Sequence, residues 1–452
     1  MESFFKLKEH GTDAKTEIIG GITTFLSMVY ILAVNPSILS AAGMNTAGIF
    51  TATCVSAAFA TLIMAFLANY PVALASGMGL NAYFAFSVCI PMAEAGVQDP
   101  FKIALTAILV EGIIFVILTF CNFREALVND IPENLKHGIT AGIGLFIAII
   151  GMKGAGIVIS DPSTIVGLGD VSSAPFVLAM IGFIIIGILY HYNVTGYILW
   201  GILATWILGM IAQAVGWYTV DLEAGAASLF PDFSGGIGIA KPELFAFDFG
   251  YVGSHIVEFA VIVFSFLFVD LFDTAGTLIG VASKGGFLDE NGNLPKAKEA
   301  LLSDALGTIA GACLGTSTVT SYVESSAGVA AGARTGMASL VTGILFLISL
   351  PLAPVFIAIP SFATAPALMF VGLLMVSAVQ KMDFTEDVAG ALAGYLALTM
   401  MPFTYSIANG IMFGILSFVI IRIFQGKVKD IHPVMWISAG LFIIRVIQLM
   451  TT

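Results

Sequence analysis

The sequence predicts an all-α polytopic membrane protein with fourteen spanning segments in two inverted halves of seven. A short β-strand is expected to open the third and the tenth segment. Three observations predict this. Of 452 residues, 58% are hydrophobic and 10% charged, against roughly 25% charged in soluble domains. Apolar runs long enough to cross a bilayer recur along the whole chain. Finally, a hydroxyl- and glycine-rich stretch, Gly315 to Gly336 (GTSTVTSYVESSAGVAAGARTG), lies deep inside this apolar sequence. At membrane depth, irregular backbone is tolerated only where it lines a cavity or is buried in protein.

Taken in order, the first half holds candidate spans at 18–42, 48–69, 72–90, 101–121, 138–159, 174–193 and 195–214. A Gly-rich polar loop follows over 215–253. The second half holds spans at 255–282, 300–314, 316–333, 336–354, 358–380, 386–404 and 407–424. Val434 to Met450 contains Arg445 and follows a basic segment, so it reads as an interfacial helix. Lys6, Lys8 and Lys15 precede an apolar run from Ile18 that is too long for a cleavable signal. Cys54, Cys89, Cys121 and Cys313 stand singly in apolar segments and read as small buried hydrophobes, not disulfide partners or metal ligands. No metal or cofactor is called for.

Charge placement orients the chain. With a cytoplasmic N-terminus, the inner connections carry Arg124, Lys136, Lys284, Lys296, Lys298, Arg334, Lys381, Lys427 and Lys429. On the opposite face lies the acidic 215–253 loop, in which Lys241 stands alone against Asp221, Glu223, Asp232, Glu243 and Asp248. This is the positive-inside distribution, and it predicts an integral cytoplasmic-membrane protein with both termini inside. The net charge of −12 falls mostly in loops, and no basic tract points to nucleic acid.

The two halves share a pattern. Ile131-Pro132 is followed by Gly138, Gly144-Leu145 and Lys153; Ile359-Pro360 is followed at the same offsets by Pro366, Gly372-Leu373 and Lys381. An odd number of spans per half makes the two copies inverted. Inversion pairs the tenth span with the third. In the tenth, Thr316 to Val323 is a β-branched, hydroxyl-rich run that reads as extended. Glu324, Ser325 and Ser326 then stand where a helix begins, beside N–H groups that have no intrahelical partner. The third span reads VALASGMGLNAYFAF, again irregular before a helix, with Gly77, Gly79 and Asn81 near its start. Two such segments at corresponding positions point to a midplane binding site.

Ionisable residues inside spans are functional candidates by default. The eighth span contains VDLFDTAGTLIG, with Asp270 and Asp273 one turn apart, hydroxyls at Thr274 and Thr277, and room beside Gly276. Glu324 is the third acid. A buried carboxylate without a cation tends to hold a proton. One that also hydrogen-bonds a neutral ligand is a simple device for proton coupling. A structural role, bonded to facing hydroxyls, stays open for Asp270. Glu111, Glu258 and Asp304 stand singly in apolar spans and read as helix–helix hydrogen bonds or interface residues. Tyr322 shares a strand face with Glu324, and its ring either stacks on a flat ligand or fills the core.

Four stretches, TTFLSMVYILAVNP, ASGMGLNAYF, VDLFDTAGTLIGVA and TSTVTSYVESSAGVAAGARTG, resemble the AzgA-like purine permeases of the nucleobase–cation symporter superfamily, and the resemblance covers nearly the whole chain. It implies the uracil-permease-like fold. Spans one to four and eight to eleven would form a core domain (1–121 and 249–357). Spans five to seven and twelve to fourteen would form a gate domain (122–248 and 358–452) through which the protein usually dimerises. The nucleobase-binding acid of span ten corresponds to Glu324 and the aromatic before it to Tyr322. The acid of span eight corresponds to Asp273, with Thr277 a turn beyond and Asp270 as a proton site or brace. Gly79, Leu80 and Asn81 of span three and Ser325 of span ten complete the expected contacts, with Asp270, Asp273 and Glu324 as the proton-coupling set. Ser325-Ser326-Ala327 departs from the shorter Asn-containing link of the uracil and xanthine members and favours the AzgA-like branch.

The function so implied is proton-coupled uptake of purine nucleobases, hypoxanthine and guanine first and adenine close behind. An anion transporter on the same fold is the alternative, opposed by acids without a nearby cation. An intramembrane aspartyl protease is opposed because neither Asp270 nor Asp273 stands in its YD or GxGD settings.

Overall fold

Apolar sequence without water must satisfy its own backbone, and nearly all of this chain does so as helix. The computed structural model describes residues 4–120, 131–220, 228–233, 239–289 and 294–451. Cys121, Arg124, Asp221 and Glu223 lie outside these residues. Every stretch read as a span contains helix, and the span numbers above are kept here. Polar caps start several of them. Asp13 accepts from Thr16 N at 2.9 Å at the start of Ala14–Met28, and Asn45 accepts from Gly48 N at 2.8 Å at the start of Thr46–Ile63.

Eight described helices are long and apolar enough to cross a membrane unaided. The bent pair Gly336–Ile348 and Leu350–Ile357, angled at 43°, makes a ninth. Spans three and ten fall outside that count because each is broken, as the sequence predicts. Span three runs as a strand, Leu74–Ser76, then helix from Met78 through a π-helical stretch, Tyr83–Cys89, to Glu94. Span ten runs as a strand, Val319–Ser321, then the short helix Ser325–Ala330. The strands pair antiparallel, with Leu74 opposite Ser321, Ala75 opposite Thr320 and Ser76 opposite Val319. A second antiparallel pair, Val158–Asp161 with Ile165–Leu168, was not anticipated; it occupies the connection after span five.

Small residues set the closest helix contacts, as expected where lipid removes the hydrophobic drive between helices. Span five (Glu133–Gly154) lies against span twelve (Ser361–Val376) through the two repeat-matched glycines. A Cβ on Gly144 would meet Gly372 O at 2.8 Å, and one on Gly372 would meet Gly144 O at 2.5 Å. Span five also meets span thirteen (Val388–Phe403) at Gly138 and Gly394.

One expectation is corrected. The last helix, Pro433–Thr451, does not lie flat at the interface but packs alongside span eight (Ile256–Gly285) in the antiparallel sense. Val434 clusters with Leu271, Phe442 packs on Phe264 with ring centres 5.6 Å apart, and Arg445 pairs with Glu258 at 3.6 Å. The apolar residues that suggested a surface helix find a protein partner instead, and Arg445 finds a carboxylate. The N-terminal segment sits at the other end of span eight. Phe5 and Leu7 pack with Ala65 and Met337, Asn69 donates to Phe5 O, and neighbouring Tyr70 packs on Phe287. The two terminal segments therefore approach opposite ends of the bundle, against the expectation that both lie on one face.

A Cβ placed on Gly138 would sit 2.3 Å from Gly394 O and 2.5 Å from Gly394 Cα. Gly138→Ala should therefore force spans five and thirteen apart and destabilise by roughly 1–3 kcal/mol, the usual range for overpacking. Gly187→Ala, where a Cβ meets nothing within 4 Å, is the control. Thermal unfolding in detergent should show a lowered midpoint for the first and no loss for the second.

Candidate ligand site between the paired strands and the eighth span

The strand Val319–Ser321 delivers Tyr322 and Glu324 beside Asp273 of span eight. Glu324 stands at the start of Ser325–Ala330 and is half-buried. Its Oε1 accepts from the Tyr30 hydroxyl at 2.6 Å, a charge-assisted bond from span one. Asp273 is also half-buried and accepts from Thr320 Oγ1 at 3.4 Å. Asp273, Tyr322 and Tyr197 lie near Glu324 as well. Both carboxylates are enclosed by protein yet keep some accessible surface.

Asn81, fully buried at the start of the span-three helix, has neither amide atom bonded within the described residues. Its donor and acceptor are thus available to a ligand. Other expected contacts are already occupied. The Tyr322 hydroxyl donates to Ser76 O at 2.5 Å, and Ser325 Oγ accepts from Ala73 N at 3.0 Å, so both hydroxyls clamp one broken span to the other. A Cβ on Gly79 would meet Ile143 Cγ2 at 2.8 Å, which makes that glycine a close-packing point against span five. Leu80 and Thr277 are buried. Beside Gly276 there is indeed open space, with nothing within 4 Å of a Cβ there.

Asp270 faces elsewhere. It is fully buried, and Thr274 Oγ1 lies 3.3 Å from its Oδ1 and 3.0 Å from Asp304 Oδ1. Ser321 donates to the same Asp304 oxygen at 3.2 Å. Glu111 of span four completes the group. It accepts from Thr318 Oγ1 at 3.1 Å and lies near Asp270 and Asp304. Asp270, Glu111 and Asp304 thus form a carboxyl cluster bonded to Thr274, Thr318 and Ser321, whereas Asp273 bonds Thr320. Reading Glu111 and Asp304 as helix–helix hydrogen bonds was sound, but their convergence on Asp270 was not visible. Tyr30 and Tyr197 were also missed. Tyr30 lies within a quoted stretch of span one, yet nothing in a spacing connects it to a residue 294 positions later.

Two broken spans meeting within the bundle, with acids gathered around the break, are the working parts of a membrane carrier for a small solute. Comparison agrees: the chain belongs to the Permease family, whose model matches residues 15–432, and within it to the AzgA-like branch that its sequence resembles. It is an integral multi-pass membrane permease, not an enzyme. It is 42% identical over 453 residues to the guanine/hypoxanthine permease PbuG of Bacillus subtilis, covering 98% of each chain. It is 40% identical over 450 residues to the adenine permease AdeP of Escherichia coli, covering 99% of this chain and 96% of that one. Among solved structures, the transmembrane domain of a cyanobacterium bicarbonate transporter, BicA, has the same fold. The TM-score is 0.65 at 14% identity, over 87% of this chain and 97% of that one.

Tyr30→Phe removes only the hydroxyl bonded to Glu324. A hydrogen bond to a charged group is worth roughly 1.5–3 kcal/mol, or about tenfold to a hundredfold in affinity. Ligand affinity of the purified variant, measured by calorimetry, should fall within that range while its unfolding temperature stays near that of the parent.

Proposed function

We propose that this permease imports purine nucleobases across the cytoplasmic membrane by proton symport, with hypoxanthine and guanine preferred and adenine close behind. The observation that carries the reading is the pairing of Glu324 with Asp273, both half-buried beside the paired strands. Among the described residues they are bonded to hydroxyls, not to a lysine or arginine. Two carboxylates can accept N–H groups from the edge of a flat base, and the Asn81 amide offers both a donor and an acceptor. Relatives of full length at 40% and 42% identity are named as adenine and guanine/hypoxanthine permeases.

The acids also supply the coupling device. A carboxylate that must release its ligand and its proton together ties the two fluxes. We read the chain as fourteen segments in a 7+7 inverted repeat. Residues 1–121 and 249–357 act as the core, 122–248 and 358–452 as the gate, and a homodimer forms through the gate. The basic connections favour a cytoplasmic N-terminus. An anion-carrying reading has only the shared fold behind it, at 14% identity.

The test is uptake of radiolabelled hypoxanthine, guanine, adenine, xanthine and uracil in cells lacking their own carriers. Purine accumulation should collapse with a protonophore and strengthen as external pH falls. Accumulation that tracks external Na⁺ and ignores the protonophore would remove proton coupling. Glu324→Gln should abolish concentrative uptake and most binding. Asp273→Asn should weaken binding about tenfold to a hundredfold, the worth of a charge-assisted hydrogen bond. Asp270→Asn should lower turnover or expression and spare affinity; the reverse ranking of the two aspartates would mean that Asp270 is the direct contact.

A further inference from the structure

Span eight carries more than Asp273 on its working face. His255, Glu258, Ile262, Phe266, Asp273 and Gly280 recur at intervals that keep them on one side of the helix Ile256–Gly285 and its first cap residue. At the upper end of this face lies a cavity of about 490 Å³, within the size range of small-molecule sites. Span three supplies Ser87, span fourteen supplies Asn409, and the last helix supplies Phe442 and Arg445 to its walls. Its chemistry is that of a site for a flat, hydrogen-bonding ring. Tyr251 and His255 stack with ring centres 4.2 Å apart and planes 8° from parallel. Glu258 accepts from the Tyr251 hydroxyl at 2.8 Å and pairs with Arg445 at 3.6 Å.

The cavity does not reach the acids. Ile262 at its wall stands eleven residues before Asp273, about 16 Å along a helix. Between them Phe266 and Tyr83 are both fully buried and pack edge to face, with ring centres 4.8 Å apart. Tyr83 itself lines the cavity. Beyond Asp273 the same face is open, for a Cβ on Gly276 or Gly280 meets nothing within 4 Å.

We propose that this cavity is the outer vestibule for the transported base and that Tyr83 and Phe266 form the closure between it and Asp273 and Glu324. The structure then holds the carrier shut on the vestibule side and open on the other, one of the two states that alternating access requires. The ligand class rests on the purine reading; the access path does not.

The experiment uses the full-length protein in intact cells, with Asn409→Cys in the cavity wall and Val269→Cys below the closure. Val269 is 2% exposed and lies between Phe266 and Asp273. A charged, membrane-impermeant methanethiosulfonate is added outside, and labelling is read by mass on the purified protein. Asn409→Cys should label at least tenfold faster than the parent, and labelling should cut its remaining base uptake at least tenfold. Val269→Cys should label slowly, and replacing Phe266 by Ala, or by Leu where Ala lowers expression, should speed its labelling at least fivefold. Labelling of Asn409→Cys at the parent's rate overturns the vestibule, as does fast labelling that leaves uptake intact. Val269→Cys labelling unchanged by both Phe266 replacements overturns the closure. Because labelling is read on the protein itself, vestibule access survives a failure of purine uptake, and purine uptake survives a failure of labelling.

Discussion

The paired strands Leu74–Ser76 and Val319–Ser321 are the feature on which the rest depends. A chain that leaves helix inside a bilayer exposes N–H and C=O groups that lipid cannot satisfy. Pairing the two breaks with each other satisfies one edge of each strand, and Gly77 N to Thr318 O and Tyr322 N to Ala73 O extend the ladder beyond it. Side-chain hydroxyls satisfy much of the rest. Thr61 bonds both Leu74 N and Leu74 O, Ser325 accepts from Ala73 N, Thr308 donates to Val319 O, and Ser339 donates to the Tyr70 and Val72 carbonyls. The density of serine and threonine in so apolar a chain follows from this need. The two breaks must also stay in register, so Asn81 and Glu324 keep a fixed relation whatever the surrounding helices do.

That constraint explains why the acids divide into two sets. The strand Val319–Ser321 and its flanks bond to spans four, eight and nine. Thr320 turns toward Asp273, while Thr318 and Ser321 turn toward Glu111 and Asp304. The cluster holds the strand through hydroxyls: Thr318 donates to Glu111, and Ser321 and Thr274 donate to Asp304. Glu17 plays a related part on span one. It is fully buried and accepts from the backbone N–H groups of Arg334, Thr335 and Ala338, which open span eleven directly after the half-helix.

What was legible in the sequence follows the same division. The breaks at Gly77 and Thr316–Val323, the half-helix start at Glu324 and the acids of span eight announced themselves as polar residues in apolar surroundings, where each must have a reason. Asp273 and Glu324 were legible as a pair because the family resemblance assigns an acid to each of spans eight and ten. Tyr30, Tyr197 and the convergence of Glu111, Asp270 and Asp304 were not, since tyrosine is an ordinary core residue and single acids on separate helices show no spacing. Tyr322 and Ser325 stand among the expected ligand contacts, yet their hydroxyls are bonded to Ser76 O and Ala73 N. The last helix misled for a physical reason: an amphipathic stretch with one arginine looks the same whether its apolar face meets lipid or span eight.

Span eight differs from spans three and ten in being unbroken over 30 residues. The difference has a mechanical meaning. In a continuous helix the distance from Phe266 to Asp273 cannot change, so the closure and the acid move as one body. Opening the vestibule then requires other elements to slide along that face, and those seated there are span three through Tyr83, span fourteen through Asn409 and the last helix through Phe442 and Arg445. Ser87 donating to Tyr405 O at 3.3 Å is the polar contact that joins span three to the start of span fourteen. The Arg445–Glu258 pair is only partly exposed, at 22% and 24%, so water does not screen it fully and separating it carries a real cost. The last helix thus lies where it would resist that sliding, which gives it a mechanical reason to pack against span eight.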